Sequence, residues 1–166
     1  MTAMKAIGAP WRMEYIRSEK VAGCVFCTDP ESCTAAELLL LGGERSFITM
    51  NRYPYTTGHL MIIPYRHCSR IEDLAPEEKV EIFDYVTLSV KVLKEIIHPD
   101  GFNIGMNLGK AAGAGIDDHI HVHVVPRWNG DTNFVSVVGD VRVIPEDVVK
   151  TREQLLPYFL KYREED

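Results

Sequence analysis

The stretch that most limits what this chain can become is residues 118–126, Asp118-His119-Ile120-His121-Val122-His123-Val124-Val125-Pro126. Histidine and a β-branched residue alternate with a period of two. That period is the signature of a half-buried strand, because successive side chains point to opposite faces. Ile120, Val122 and Val124 are expected to face a core, and His119, His121 and His123 to line the other face. Pro126 is expected to end the run, since it has no N–H to donate to a sheet ladder. Three of the chain's 6 histidines fall in this one segment. A strand face that merely meets water has no need of such a row.

Two chemical uses of the row stand open. One is a three-histidine metal centre. At ~3.3 Å per residue, His119 and His123 lie ~13 Å apart along a strand, so both would have to lean over His121 to share an ion. The other gives the imidazoles separate tasks, with a nucleophile in the middle.

The rest of the chain frames that strand. Glu37 to Leu41, Gly42-Gly43 and Arg45 to Met50 read as a hairpin, with the glycines supplying positive φ angles for a two-residue turn. Leu60 to Ile63 is a short buried strand between Gly58-His59 and Pro64. Pro76 to Ile97 is the main helix. Pro76 suits a first helical position, and Glu77 and Glu78 suit the positive end of the helix dipole. Ile82, Val86, Val90, Leu93 and Ile97 make an apolar stripe, and His98-Pro99 stops it. Phe102 to Met106 is a further strand. Glu146 to Tyr162 is a C-terminal helix interrupted at Pro157. The fold class is therefore α+β: an antiparallel sheet with one long helix on one face and the histidines on the other.

At 166 residues the chain fits one domain, 1–166, with an N-terminal arm (1–20) that packs Trp11 and Tyr15 onto the body, and a C-terminal helical tail (145–166). The net charge of −6 argues against a general nucleic-acid or membrane binder. No signal peptide and no apolar run of membrane-spanning length is visible, so a cytoplasmic protein is expected. Its 4 cysteines, Cys24, Cys27, Cys33 and Cys68, are then thiols or metal ligands rather than disulfides. Cys24-x-x-Cys27 is either a pair of partly buried thiols or half of a zinc site. Zinc would need two more ligands, for which His67 and one histidine of the row are candidates.

The histidine row, followed by Pro126-Arg127-Trp128 and preceded by Ala112-Gly113-Ala114-Gly115, resembles the motif of the histidine-triad family. The bacterial branch related to diadenosine tetraphosphate phosphorylases and hydrolases is the nearest likeness, running from about Pro10 to about Phe134. The resemblance implies a five-stranded antiparallel sheet joined to a second copy around a two-fold axis, a homodimer. It implies His121 as the nucleophile toward a nucleotide α-phosphate, with Nδ1 bonded to the carbonyl of His119. It implies His123 at the bridging oxygen and His59, in Gly58-His59, as a fourth histidine beside the triad. Asn51, in Asn51-Arg52-Tyr53-Pro54, is implied as a ribose contact and Asn107 as an amide facing the phosphates. Ala114-Gly115-Ile116-Asp117-Asp118 departs from the Gln and Ser or Thr common there, so backbone donors at Gly113 and Gly115 are expected to serve, with Asp117 and Asp118 turned away. Zinc-carrying members imply the ligand set Cys24, Cys27, His67 and His119. That set is closed and so structural, and it takes His119 out of the row.

The expected activity is cleavage at the α-phosphate of a dinucleoside polyphosphate such as diadenosine tetraphosphate, through a nucleotidyl-histidine intermediate, with water or phosphate as acceptor. The rivals are a nucleoside phosphoramidate hydrolase, a nucleotide-binding regulatory module without turnover, and the three-histidine metalloenzyme.

Overall fold

The computed structural model describes residues 23–27, 37–132, 134, 138 and 146–164. The expected N-terminal arm, with Trp11 and Tyr15, and Cys33 lie outside the described residues.

Five strands form one antiparallel sheet: β1 (Leu39–Gly42), β2 (Ser46–Met50), β3 (Leu60–Pro64), β4 (Gly101–Gly105) and β5 (Val122–Arg127). Their spatial order is β1-β2-β3-β5-β4. The helix α1 (Pro76–Ile97) crosses between β3 and β4, and α2 (Val148–Glu164) closes the chain. The α+β class, the five strands and the long helix are as the sequence pattern predicts.

β2 and β3 are buried along their whole length, so both faces of the sheet centre are covered. On one face, Ile48, Met50, Leu60, Ile62, Val122 and Val124 join Ile82, Val86, Val92 and Leu93 of α1 in the main core. On the other, Phe47, Met61 and Ile63 form a small second cluster with Phe26 and Leu39 against it. Period-two alternation is what lets neighbouring residues serve two layers.

Four expectations about local structure need correction. Gly42 and Gly43 do not adopt positive φ; Gly42 ends β1, and the turn is closed by the Gly43 N–H on the Ser46 carbonyl at 2.9 Å. Gly43 is there for proximity, since a Cβ would overlap the Tyr85 hydroxyl of α1. Glu81 of α1 accepts the N–H groups of Glu44 and Arg45, each at 2.9 Å, and so ties the helix to the turn. The histidine strand starts late: ladder pairing begins at Val122, because the Ile120 N–H goes to the Cys68 carbonyl at 2.7 Å instead of to a strand. It also ends late, at Arg127, with Pro126 inside it paired to Phe102 and its carbonyl accepting the Thr56 hydroxyl.

The C-terminal helix is not interrupted at Pro157. Asp147 caps it by accepting the Val149 N–H at 2.9 Å, it runs unbroken through Pro157, and Leu155 and Phe159 on either side of the proline are fully buried in the main core. Arg152 donates from Nε to the Leu39 carbonyl at 2.9 Å, which occupies the outer edge of β1. β4 pairs only with β5, so its outer edge is the one strand edge that neither a strand nor α2 covers among the described residues, and Ile104 on it is 49% exposed.

Gly58 shows why the segment before β3 has its sequence. Its φ is +76°, and a Cβ there would come within 2.6 Å of the Ile97 side chain. Only glycine lets the chain turn there against α1, and that turn delivers His59 into the sheet's second face.

Candidate active site

The second face carries two adjoining sites, and His119 belongs to both. The first is a ligand cluster. Cys24, Cys27, His67 and His119 bring one ligand atom each to within 4.8 Å of one another. The His119 Nδ1 lies 3.3 Å from Cys24 Sγ and 3.4 Å from Cys27 Sγ, and the His67 Nδ1 lies 3.1 Å from Cys27 Sγ. Tetrahedral zinc with sulfur at ~2.3 Å and nitrogen at ~2.05 Å separates its ligand atoms by roughly 3.3–3.8 Å. The donor set fits a closed zinc centre. A second observation supports the fit: His119 donates its other ring N–H, from Nε2, to the Pro64 carbonyl at 2.9 Å. That bond fixes Nδ1 as the lone pair aimed at the thiols, as metal-binding histidines require.

The second site is the imidazole cluster. His59, His119, His121 and His123 are all buried. The His121 Nδ1 lies 2.9 Å from the His119 carbonyl, an acceptor only, so His121 carries its proton on Nδ1 and presents a bare Nε2. Burial lowers its basicity, which keeps that nitrogen unprotonated near neutral pH.

The proton positions of His59 and His123 follow from one backbone donor. The Tyr55 N–H points at His59 Nδ1 at 3.0 Å, and the Asn51 amide reaches the same nitrogen at 3.3 Å. His59 therefore holds its proton on Nε2 and donates it to His123 Nδ1, 3.0 Å away. His123 in turn carries its proton on Nε2. Burial first, and the neighbouring His121 second, push His123 down to about 4, so it stays neutral in this tautomer. Asn107 Nδ2 lies 3.4 Å from that Nε2; two donors cannot bond, so with His123 protonated there the Asn107 amide is turned over, with Oδ1 accepting. The arrangement pairs a bare ring nitrogen, His121 Nε2, with an adjacent hydrogen-bond donor, His123 Nε2–H; the two rings are 4.8 Å apart.

The structure brings together His59, His119, His121, His123, Asn51 and Asn107, all named from sequence. Asn51 faces inward: its Oδ1 accepts the Tyr53 N–H at 2.8 Å while its amino group meets His59. Gly113 does not offer a phosphate donor in this conformation, because its N–H closes a turn on the Lys110 carbonyl at 3.0 Å. Asp117 lies 3.7 Å from Lys110 across the same loop and is well exposed. Sequence reasoning missed Tyr55, whose ring lies tilted at 45° against His59 with the centroids 4.5 Å apart, and Phe26, whose ring meets both His119 and His121. Phe26 had a visible signal, its place inside Cys-x-x-Cys, but the motif was read for its thiols alone.

A five-stranded antiparallel sheet with a long helix on one face and a bare imidazole nitrogen beside an imidazole donor on the other defines a small α+β scaffold built around a histidine cluster. The chain belongs to the HIT domain family, whose pattern matches residues 35–130. It is 36% identical over 161 residues to the AP-4-A phosphorylase of Mycobacterium tuberculosis, a match covering 92% of this chain and 83% of that protein. It is 25% identical over 136 residues to an adenosine 5'-monophosphoramidase of Schizosaccharomyces pombe, covering 80% of this chain and 95% of that one. Among solved structures, a Zn-bound histidine triad family protein from Mycobacterium smegmatis superposes with a TM-score of 0.69 at 29% identity, over 87% of this chain and 98% of that one.

Proposed function

We propose that the protein cleaves dinucleoside polyphosphates at an α-phosphate through a nucleotidyl-His121 intermediate. The observation that carries this reading is the bond from His121 Nδ1–H to the His119 carbonyl, which leaves Nε2 as a buried, unprotonated nucleophile. The likeness to a phosphorylase over nearly the whole chain supplies the substrate class.

In the first step, the His121 Nε2 lone pair forms a bond to the α-phosphorus and the bond from phosphorus to the bridging oxygen breaks. The electron pair leaves with the polyphosphate, which departs as an anion. His123 Nε2–H donates a hydrogen bond to that oxygen as its charge grows. The nucleotidylated ring carries one positive charge, and its Nδ1–H still points at the His119 carbonyl. In the second step, water or phosphate attacks the phosphorus and the P–N bond breaks. The pair returns to Nε2, and a proton of the acceptor goes to solvent. One hard displacement becomes two easier ones. His59 touches no reacting atom; it holds the tautomer of His123.

Cys24, Cys27, His67 and His119 would hold a structural zinc ion, which would cross-link the Cys-x-x-Cys turn to the strand and supply no Lewis acid to the phosphate. A metal site of free thiols suits the cytoplasm, where cysteines stay reduced. The substrate side chains are Asn51 and Asn107, with the backbone near Gly115 facing the phosphates. The protein is a homodimer in this reading. The open edge of β4, with Ile104 exposed on it, and the exposed Phe83 of α1 are the strand edge and apolar side chains that a second copy would cover. Light scattering at micromolar concentration should give twice the 18.8 kDa chain mass; a monomer mass would overturn that part.

Incubation with diadenosine tetraphosphate, with and without phosphate, tests the activity. AMP with ATP means hydrolysis. ADP with ATP, appearing only with phosphate, means phosphorolysis. A second reading, hydrolysis of a nucleoside phosphoramidate, has the monophosphoramidase likeness behind it and uses the same His121. Turnover of adenosine 5'-phosphoramidate alone would favour it, and no turnover of any nucleotide would leave a binding module.

A further inference from the structure

The Cys24–Cys27 turn does more than supply two thiols. Phe26, between them, places its ring 5.6 Å from His119 at 89° and 5.2 Å from His121 at 59°. It also rests on the small cluster of Phe47, Met61 and Ile63, so it is held from behind. Among the described residues, the His121 ring has one hydrogen bond, at Nδ1. A single bond fixes one point of a ring, not its plane. Two further rings pack against it and restrict its plane, Phe26 tilted at 59° and the His123 ring edge-on, 4.8 Å away at 79°.

We propose that Phe26 is a positioning residue for His121, and that the Cys24–Cys27 turn holds it there, so that filling the ligand cluster sets the orientation of the nucleophile. Two paths run from the cluster to the nucleophile. One passes through Phe26 to the plane of the ring. The other passes through His119, whose side chain faces the thiols while its carbonyl holds the Nδ1 proton. In-line attack on phosphorus needs the Nε2 lone pair within a narrow cone. Misplacement by about 1 Å costs on the order of a hundredfold in rate. Nothing in this inference requires the metal to touch substrate.

The kinetic part rests on the proposed activity, and the spectroscopic part does not. The test uses the full chain, loaded with zinc and labelled with 15N-histidine, and reads the imidazole nitrogens without substrate. His121 is assigned by comparison with His121→Asn. Wild type should show His121 as a single Nδ1–H tautomer. Phe26→Ala should broaden that signal or split it between tautomers while zinc stays at about one per chain. With substrate, kcat should fall about ten- to hundredfold and KM should hold. Phe26→Leu, which keeps bulk but not the flat face, should fall between. Chelation of wild type should reproduce the His121 change, and added zinc should reverse it. A wild-type His121 spectrum in Phe26→Ala overturns the proposal. So does a rise in KM alone, which would make Phe26 only a wall of the substrate pocket. Loss of zinc from both variants overturns it too, because Phe26 would then serve the metal turn and not the nucleophile. If no nucleotide is turned over, the proposed function fails, and the spectra still decide the role of Phe26.

Discussion

The two faces of the sheet are buried equally well and by opposite means. The helix face closes over Ile62, Val124, Val92, Leu93, Leu155 and Phe159, all fully buried apolar side chains that need no specific partner. The histidine face buries His59 and His119 just as deeply, and each imidazole there has a named polar contact. A buried polar group without a partner costs ~1–3 kcal/mol, so that face is stable only while its bonds are complete. The helix face stores stability. The histidine face takes that stability and uses it to hold four rings in fixed tautomers.

The largest effect that could break this division is loss of the proposed nucleophile, His121. His121→Ala should lower turnover by on the order of 10⁴-fold or more, as loss of a covalent nucleophile does, while nucleotide binding and folding persist. Steady-state kinetics and a thermal melt check it together. Near-normal turnover, or a quenched intermediate found by mass spectrometry on another residue, would end the mechanism. The mirror-image change is Phe159→Ala. It removes a fully buried ring from the helix face and should cost about 3–5 kcal/mol of stability. The folded fraction should turn over at the wild-type rate. A drop in kcat there would show that the faces are not separable.

The two faces also differ in how far the sequence disclosed them. The helix face is a matter of periodicity, and α1 is read to its last residue because Pro76 and His98-Pro99 mark its ends locally. The histidine row is legible because its residue type is rare and its spacing chemical, whereas the full ligand set comes only from the family resemblance, the residues alone leaving Cys24 and Cys27 as thiols or half of a zinc site. What escaped reading is non-local. Gly43 was assigned to a turn type, but its reason is the Tyr85 hydroxyl on a helix far along the chain. The strand's late start depends on Cys68, and the depth of α2 on a core it shares with α1. Tyr55 acts on His59 through its backbone N–H, which carries no residue signature at all.

The ligand cluster sharpens the comparison at a third level. Wild type should carry about one zinc per chain by elemental analysis. Cys24→Ser should carry none and melt earlier, since metal binding and folding are coupled. The loss should be smaller than that of Phe159→Ala, because the helix-face core remains whole. Protein purified without chelator and free of zinc would remove the structural metal from the account.

The smallest effect is a slope with pH, and it comes from the histidine face alone. His123 titrates at about 4 in the folded protein against an ordinary 6.5, chiefly because burial disfavours its charged form. Its folded value is depressed, so between those two values the unfolded chain binds a proton that the folded chain refuses. Stability is then complete above about 6.5 and falls as the pH drops, by about 1.4 kcal/mol per unit for one such histidine, flattening near 4. The groups facing His123 are His59, His121, Asn107 and the Tyr55 ring, and none of them is an acid that could offset the shift. Burial shifts His121 in the same direction, so the wild-type slope exceeds that of one residue. His123→Asn removes one titrating group and leaves the others. Urea unfolding of wild type and His123→Asn at several pH values between 7 and 4.5 isolates the difference. Wild type should lose stability faster on acidification, by about 1 kcal/mol per unit, and the two curves should run parallel above pH 7. Parallel curves throughout would mean that burial leaves His123 at its ordinary value, so that it takes up a proton below about 6.5 in the fold as in the unfolded chain, and the neutral donor tautomer would hold only above that pH.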